Sequence, residues 1–96
     1  MVDRVVFKTY GFALVICRNF DGKFLAVNES RNRGWWIPGG AVDGGESFIQ
    51  AAHRETWEEA GIKINLKGVL RVDHSVSGIN NARMRVIFFA EPKDDK

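Results

Sequence analysis

Ninety-six residues, with 45% hydrophobic, 27% charged and 11% aromatic content, suit one globular domain and exclude a disordered tail or a two-domain chain. A formal net charge of +2 is too small to imply a polyanionic partner by itself, and a single cysteine excludes an intrachain disulfide or an all-cysteine metal site. No apolar run reaches the roughly 18–20 residues a bilayer requires, and the opening Met1-Val2-Asp3-Arg4 has no signal-peptide pattern, so a soluble, cytoplasmic single domain over residues 1–96 is expected.

Phe7 to Ile16, rich in β-branched and aromatic residues, reads as a strand. The apolar run that contains Cys17 marks it as a buried structural thiol. Asn19-Phe20-Asp21-Gly22-Lys23 carries the Asp-Gly signal of a hairpin turn, which makes Phe24 to Val27 the expected antiparallel return strand. Asn28 to Gly34 is polar and basic and reads as a loop. Trp35-Trp36-Ile37 is a short apolar run, with Trp36 expected in the core, and Pro38-Gly39-Gly40 ends it as a breaker.

Four of the ten glycines lie between Gly39 and Gly45, so the backbone there must turn sharply or approach something closely. A helix should follow at once. Ser47 and Gln50 have capping-box spacing, Ala51, Ala52, Arg54, Glu55, Glu58 and Glu59 favour helix, and Gly61 is a natural terminator after Ala60. Leu66 to Asp73 and Arg83 to Ala90 read as two further strands joined by a loop from Ser75 to Asn81. Residues 91–96 read as a frayed, charged tail. A stripe of Ile49, Ala52, Thr56 and Ala60 can pack this helix on one face of a mixed sheet. The other face, carrying some of Val86, Ile87, Phe88 and Phe89, has no cover in view.

Glu55, Glu58 and Glu59 fall within an arc of about 100° on an ideal helix. Their i,i+3 and i,i+4 spacings set like charges side by side, at a cost of a few tenths of a kcal/mol per pair. They also crowd the last turn, where the helix dipole disfavours anions. Two readings remain open: a solvated acidic face, or an all-oxygen ligand set for Mg²⁺ or Mn²⁺.

Gly40, five residues, Glu46, seven residues, then Arg54-Glu55-Thr56-Trp57-Glu58-Glu59-Ala60-Gly61-Ile62 resembles the signature box of the Nudix hydrolases. Thr56 stands where an aliphatic residue is usual; every charged position, glycine and spacing matches. The resemblance implies an α/β (α+β) fold, a Nudix-like mixed sheet with the box helix on one face. The C-terminal helix of the family's α/β/α sandwich has no counterpart before residue 96, so truncation, a homodimer or a complete short form are all open. It also implies that Glu55, Glu58 and Glu59 hold Mg²⁺ or Mn²⁺ with the Gly39 carbonyl. Arg54 and Glu46 would form a structural ion pair, and Glu55 or Glu58 would orient or deprotonate the attacking water. The implied reaction is hydrolysis of a diphosphate linkage in a nucleoside diphosphate joined to another group. A non-catalytic ligand-binding module on the same fold is the alternative.

Outside the box, Trp35 can stack on a base or cover a sheet edge. Arg71, Arg83 and Arg85 on the late strands, and Arg18, Arg31 and Arg33 earlier, suit phosphates by their forked donors. Exposed strand charges that deter aggregation are the equally available reading. The small basic excess ranks small nucleotides above capped RNA as partners. His53 reads as a surface residue, and His74 stands at a strand end.

Overall fold

The computed structural model describes residues 4, 6–29 and 34–94; the expectations for Arg31 and Arg33 lie outside them. Six strands and one helix follow the order β1 (Lys8–Cys17), β2 (Val27–Glu29), β3 (Gly34–Trp36), β4 (Gly39–Ala41), α1 (Phe48–Ala60), β5 (Ile64–Ser77) and β6 (Asn81–Pro92). The main sheet is four-stranded and mixed, in the order β4-β1-β6-β5, and β2 pairs with β3 in a separate ribbon. β1 runs parallel to β6 and antiparallel to β4.

Alternation along the two central strands separates the faces. Ala13, Val15 and Cys17 of β1 and Val86, Phe88 and Ala90 of β6 pack with Ala51, Ala52 and Ile64 into the core. Tyr10, Phe12, Leu14, Ile16, Ile87 and Phe89 alternate onto the opposite face, where all but the exposed Tyr10 are half-buried. The sequence groups Val86 to Phe89 together; the pleat splits them, and Phe88 is a core residue. Cys17 is buried as expected, and burial, aided by the nearby Glu91 charge, pushes its thiol upward.

The helix forms as its signals direct. The Ser47 hydroxyl accepts from the Gln50 N–H at 3.0 Å and the Gln50 side chain accepts from the Ser47 N–H at 2.8 Å, a complete capping box. Gly61, at φ 66°, takes the left-handed conformation and donates to the Trp57 carbonyl, closing the last turn. Ala51, Ala52 and Thr56 are its buried residues, while Ile49 is exposed and does not join the expected stripe. The fully buried Thr56 satisfies its hydroxyl on the Ala52 carbonyl at 2.8 Å, which is why it can stand at an aliphatic position.

Several local expectations need correction. The turn after β1 exists, with the Asn19 carboxamide accepting from Asp21 and Lys23, but its return is one bridge, Arg18 to Phe24. The next strand begins at Val27 and pairs with β3, so parts of the expected loop and the tryptophan run form a ribbon. Trp36 is 57% exposed there and is not core. Pro38-Gly39-Gly40 does not simply break the chain: Gly39–Ala41 is an edge strand, where proline and glycine are tolerated. β5 and β6 outrun their expected bounds at both ends, and Glu91 and Pro92 are sheet residues. The molecule measures 57 × 30 × 21 Å with a radius of gyration of 15.5 Å. A compact chain of this length would have about 12.5 Å.

Candidate active site

The site is built on β4 and the outer turns of α1. Val15 donates to the Pro38 carbonyl and Val42 to the Gly11 carbonyl. Leu14–Gly39 and Phe12–Ala41 are therefore the non-hydrogen-bonded pairs of the β1–β4 ladder. The backbone polar groups of Gly39 and Ala41 consequently point away from β1, along the free edge. Helix side chains meet them there. The Gly39 N–H donates to Glu59 Oε1 at 2.8 Å, and the Ala41 carbonyl accepts from Arg54 Nη2 at 3.0 Å.

Glycine is required at this edge. A Cβ on Gly39 would lie 2.6 Å from the Ala13 carbonyl oxygen and 2.5 Å from the Leu14 side chain. A Cβ on Gly40 would lie 2.7 Å from the Glu55 carboxyl. The missing side chain at Gly40 is the space in which Glu55 sits against the strand.

Arg54 organises the acidic groups. Its Nε and Nη2 donate to the two Glu46 oxygens at 2.8 and 2.9 Å, a bidentate pair. Its Nη1 donates to Glu55 at 2.8 Å and to Glu58 at 3.2 Å. Asp43 adds a contact at 3.4 Å and donates its N–H to Glu46. Hydrogen bonding to Arg54, then to the Asp43 backbone, holds the Glu46 carboxyl at about 2, well below its ordinary range. The same bonds, Glu46 first and Glu55 second, raise Arg54 further above its usual range.

The box residues Gly39, Gly40, Glu46, Arg54, Glu55, Glu58 and Glu59 are thus gathered at one edge, with Gly61 behind them as the helix terminator. Glu55 and Glu58 share one guanidinium nitrogen; Glu55 is 15% and Glu58 55% exposed. Glu59 turns to the Gly39 N–H instead. Among the described residues, no three acidic, histidine or cysteine side chains converge as a metal cage. Trp35 stands 70% exposed on the β2–β3 ribbon. Arg71, Arg83 and Arg85 are not gathered at this edge: by register they lie on the sheet face opposite α1. Arg71 and Arg85 pair there with Asp73 at 2.7 and 3.7 Å. Arg83 borders a concavity of about 370 Å³ with Tyr10, Phe12, Ser77 and Asn81. Asp43 escaped the sequence reading, although its place three residues before Glu46 was the available signal.

The model of the NUDIX domain family matches residues 8–96. The chain belongs to the Nudix family. Among curated Nudix relatives, the phosphatase NudJ of Escherichia coli K12 is 33% identical over 73 residues, covering 74% of this chain and 48% of NudJ. The chain therefore spans about half the length of that relative. Among solved structures, a Nudix hydrolase from Nitrosomonas europaea superposes with a TM-score of 0.71 at 25% identity, over 93% of this chain and 62% of the other. The Ap4A hydrolase of Caenorhabditis elegans gives 0.67 at 26% identity, over 93% and 74%. The mixed α+β fold with the box helix on one face is the one these structures share. No helix among the described residues is long and apolar enough to cross a membrane.

Proposed function

We propose that this chain hydrolyses a diphosphate linkage in a nucleoside diphosphate joined to another group, with a divalent cation as cofactor. The observation that carries this reading is Glu55 seated against side-chain-free Gly40 and tethered, with Glu58, by Arg54. The donors at this edge are carboxylate and carbonyl oxygens, the set preferred by Mg²⁺ or Mn²⁺ over Zn²⁺. Glu55, Glu58, Glu59 and the outward carbonyl of Gly39 are the groups that would hold the cation. When bound, it supplies neutralisation of phosphate oxygens and acidification of a water.

In the reaction, a water oxygen bonds to phosphorus, the bridging P–O bond breaks, and the water proton passes to a carboxylate. Glu55 or Glu58 is the acceptor within the box. Arg54 keeps both oriented, and Glu46 keeps Arg54 in place from its other side. Glu58 is the more exposed and holds Arg54 by the longer contact, so it is the carboxylate freer to turn toward substrate. NudJ is a phosphatase by name and the nematode enzyme an Ap4A hydrolase. Both support a phosphate-linked small molecule over RNA as substrate.

The test is phosphate or nucleotide release with Mg²⁺ or Mn²⁺ across nucleotide sugars, dinucleoside polyphosphates and oxidised nucleotides, with Glu58→Gln alongside. Metal-dependent turnover that collapses in the variant is expected. A folded chain that binds Mn²⁺ and a nucleotide without turnover would instead support the binding-module reading.

A further inference from the structure

β5 is the free edge of the main sheet, and its outer half is built to accept another strand. Asn80 and Ala90 give their carbonyls to Lys8 and Arg18 on the β1 side. Even-numbered residues of β6 therefore turn their backbone groups toward β1 and odd-numbered ones toward β5. In the β5–β6 register, Arg71, Asp73, Ser75 and Ser77 face Ile87, Arg85, Arg83 and Asn81. Those four use their backbone groups on β6. Val72, His74 and Val76 consequently turn theirs outward, to no strand among the described residues.

The usual guards of a sheet edge are unevenly placed. Register shifts fall at Leu66/Gly68 and Val69/Arg71, and Lys67 lies in that inner half. From Arg71 to Ser77 there is no bulge, proline, glycine or lysine. Val72 is 51% and Val76 70% exposed on this stretch.

We propose that the Arg71–Ser77 edge pairs antiparallel with the same edge of a second copy, about a two-fold axis through His74. The stretch is self-complementary in that register. Val72 opposes Val76 of the second copy, and His74 opposes its counterpart. The Ser75 hydroxyl can donate to the Asp73 carboxylate across the axis, and Arg71 meets Ser77. Every outward-facing backbone group from Val72 to Val76 then finds a partner. Centring the axis on Asp73 would set two carboxylates against each other, which is unfavourable. Centring it on Val72 carries the pairing into the irregularity at Leu70. α1 makes its main strand contacts on β1 and β4, at the far side of the sheet from the β5 edge, so the helix does not lie at this seam.

Sedimentation equilibrium of the 96-residue chain tests this over about 1–500 µM, a range that captures weak strand-addition dimers. A monomer–dimer equilibrium is expected. His74→Pro removes only an outward donor and leaves the β6 ladder intact, so it should weaken dimerisation about tenfold or more with an unchanged circular dichroism spectrum. Val72→Lys and Val76→Glu, each at an exposed site, should weaken it comparably. The double variant should regain most of the loss, because each introduced lysine then faces an introduced glutamate across the axis. A chain that stays monomeric throughout overturns the proposal. So does a dimer indifferent to His74→Pro, or a double variant no tighter than the single ones.

Discussion

The two edges of the main sheet are held by opposite means. At β4, three residues of strand lie under a helix, glycines admit close contact, and charged side chains take the outward backbone groups: Glu59 from Gly39, Arg54 from Ala41. At β5, fourteen residues run along an open edge, and the hairpin they form with β6 extends past the core cluster. At the first edge one outward backbone group of each of Gly39 and Ala41 is tied to a charged side chain. The outer half of the second, Arg71–Ser77, is regular backbone with mostly exposed side chains, stabilised by its ladder more than by packing. Fixed carboxylates stand at the first kind of edge, whereas the association proposed above would use the second.

Substitutions at the committed edge should be the costly ones. Glu55→Gln is expected to lower turnover by about 10²–10⁴ while leaving the melting temperature nearly unchanged, as steady-state kinetics and thermal denaturation would show. Gly39→Ala forces a Cβ into the Ala13 carbonyl and the Leu14 side chain, and should destabilise by about 1–3 kcal/mol in urea titration. Full stability there would mean that β4 is looser than its contacts imply.

Acid should loosen the same edge. The Glu46 carboxyl falls in the folded state from its ordinary 4.5 to about 2. Its contribution is therefore complete above about pH 4.5 and is lost as the pH drops toward 2. Glu46→Gln should flatten the pH dependence of stability across that window, measured by denaturant midpoints from pH 2 to 6. The smallest effect is expected at the open edge, where Val72→Thr should change monomer stability by less than about 0.5 kcal/mol. A large loss at Val72 would erase the contrast between the edges.

How legible each region was in the sequence follows from the same contrast. The box announced itself because close approach demands glycines at fixed places and anchored carboxylates demand a counter-charge, so Gly40, Glu46, Arg54 and Glu55 are constrained in identity and spacing. The helix ends were legible from the Ser47–Gln50 box and Gly61. Strand pairing was not. The Asp-Gly turn is a local signal, whereas β1 prefers β6, 73 positions away at Lys8↔Asn81, and nothing local encodes that choice. The full length of β5 was hidden for a different reason: past the helix, His74, Ser75 and Ser77 are exposed along with Val72 and Val76, so no apolar alternation marks the strand. For Arg71 and Arg85 the sequence left phosphate binding and exposed strand charge both open, and it could not show Asp73, which pairs with both.

The capture of the β4 backbone by Glu59 and Arg54 also limits stoichiometry. A sheet with two receptive edges can add copies without end, as fibres do, whereas a sheet with one receptive edge stops after a single addition. By occupying the Gly39 N–H and the Ala41 carbonyl, the residues that assemble the acidic site would also act as a chain terminator for the proposed assembly. Loss of Arg54 would then remove more than an ion pair: it would reopen the second edge.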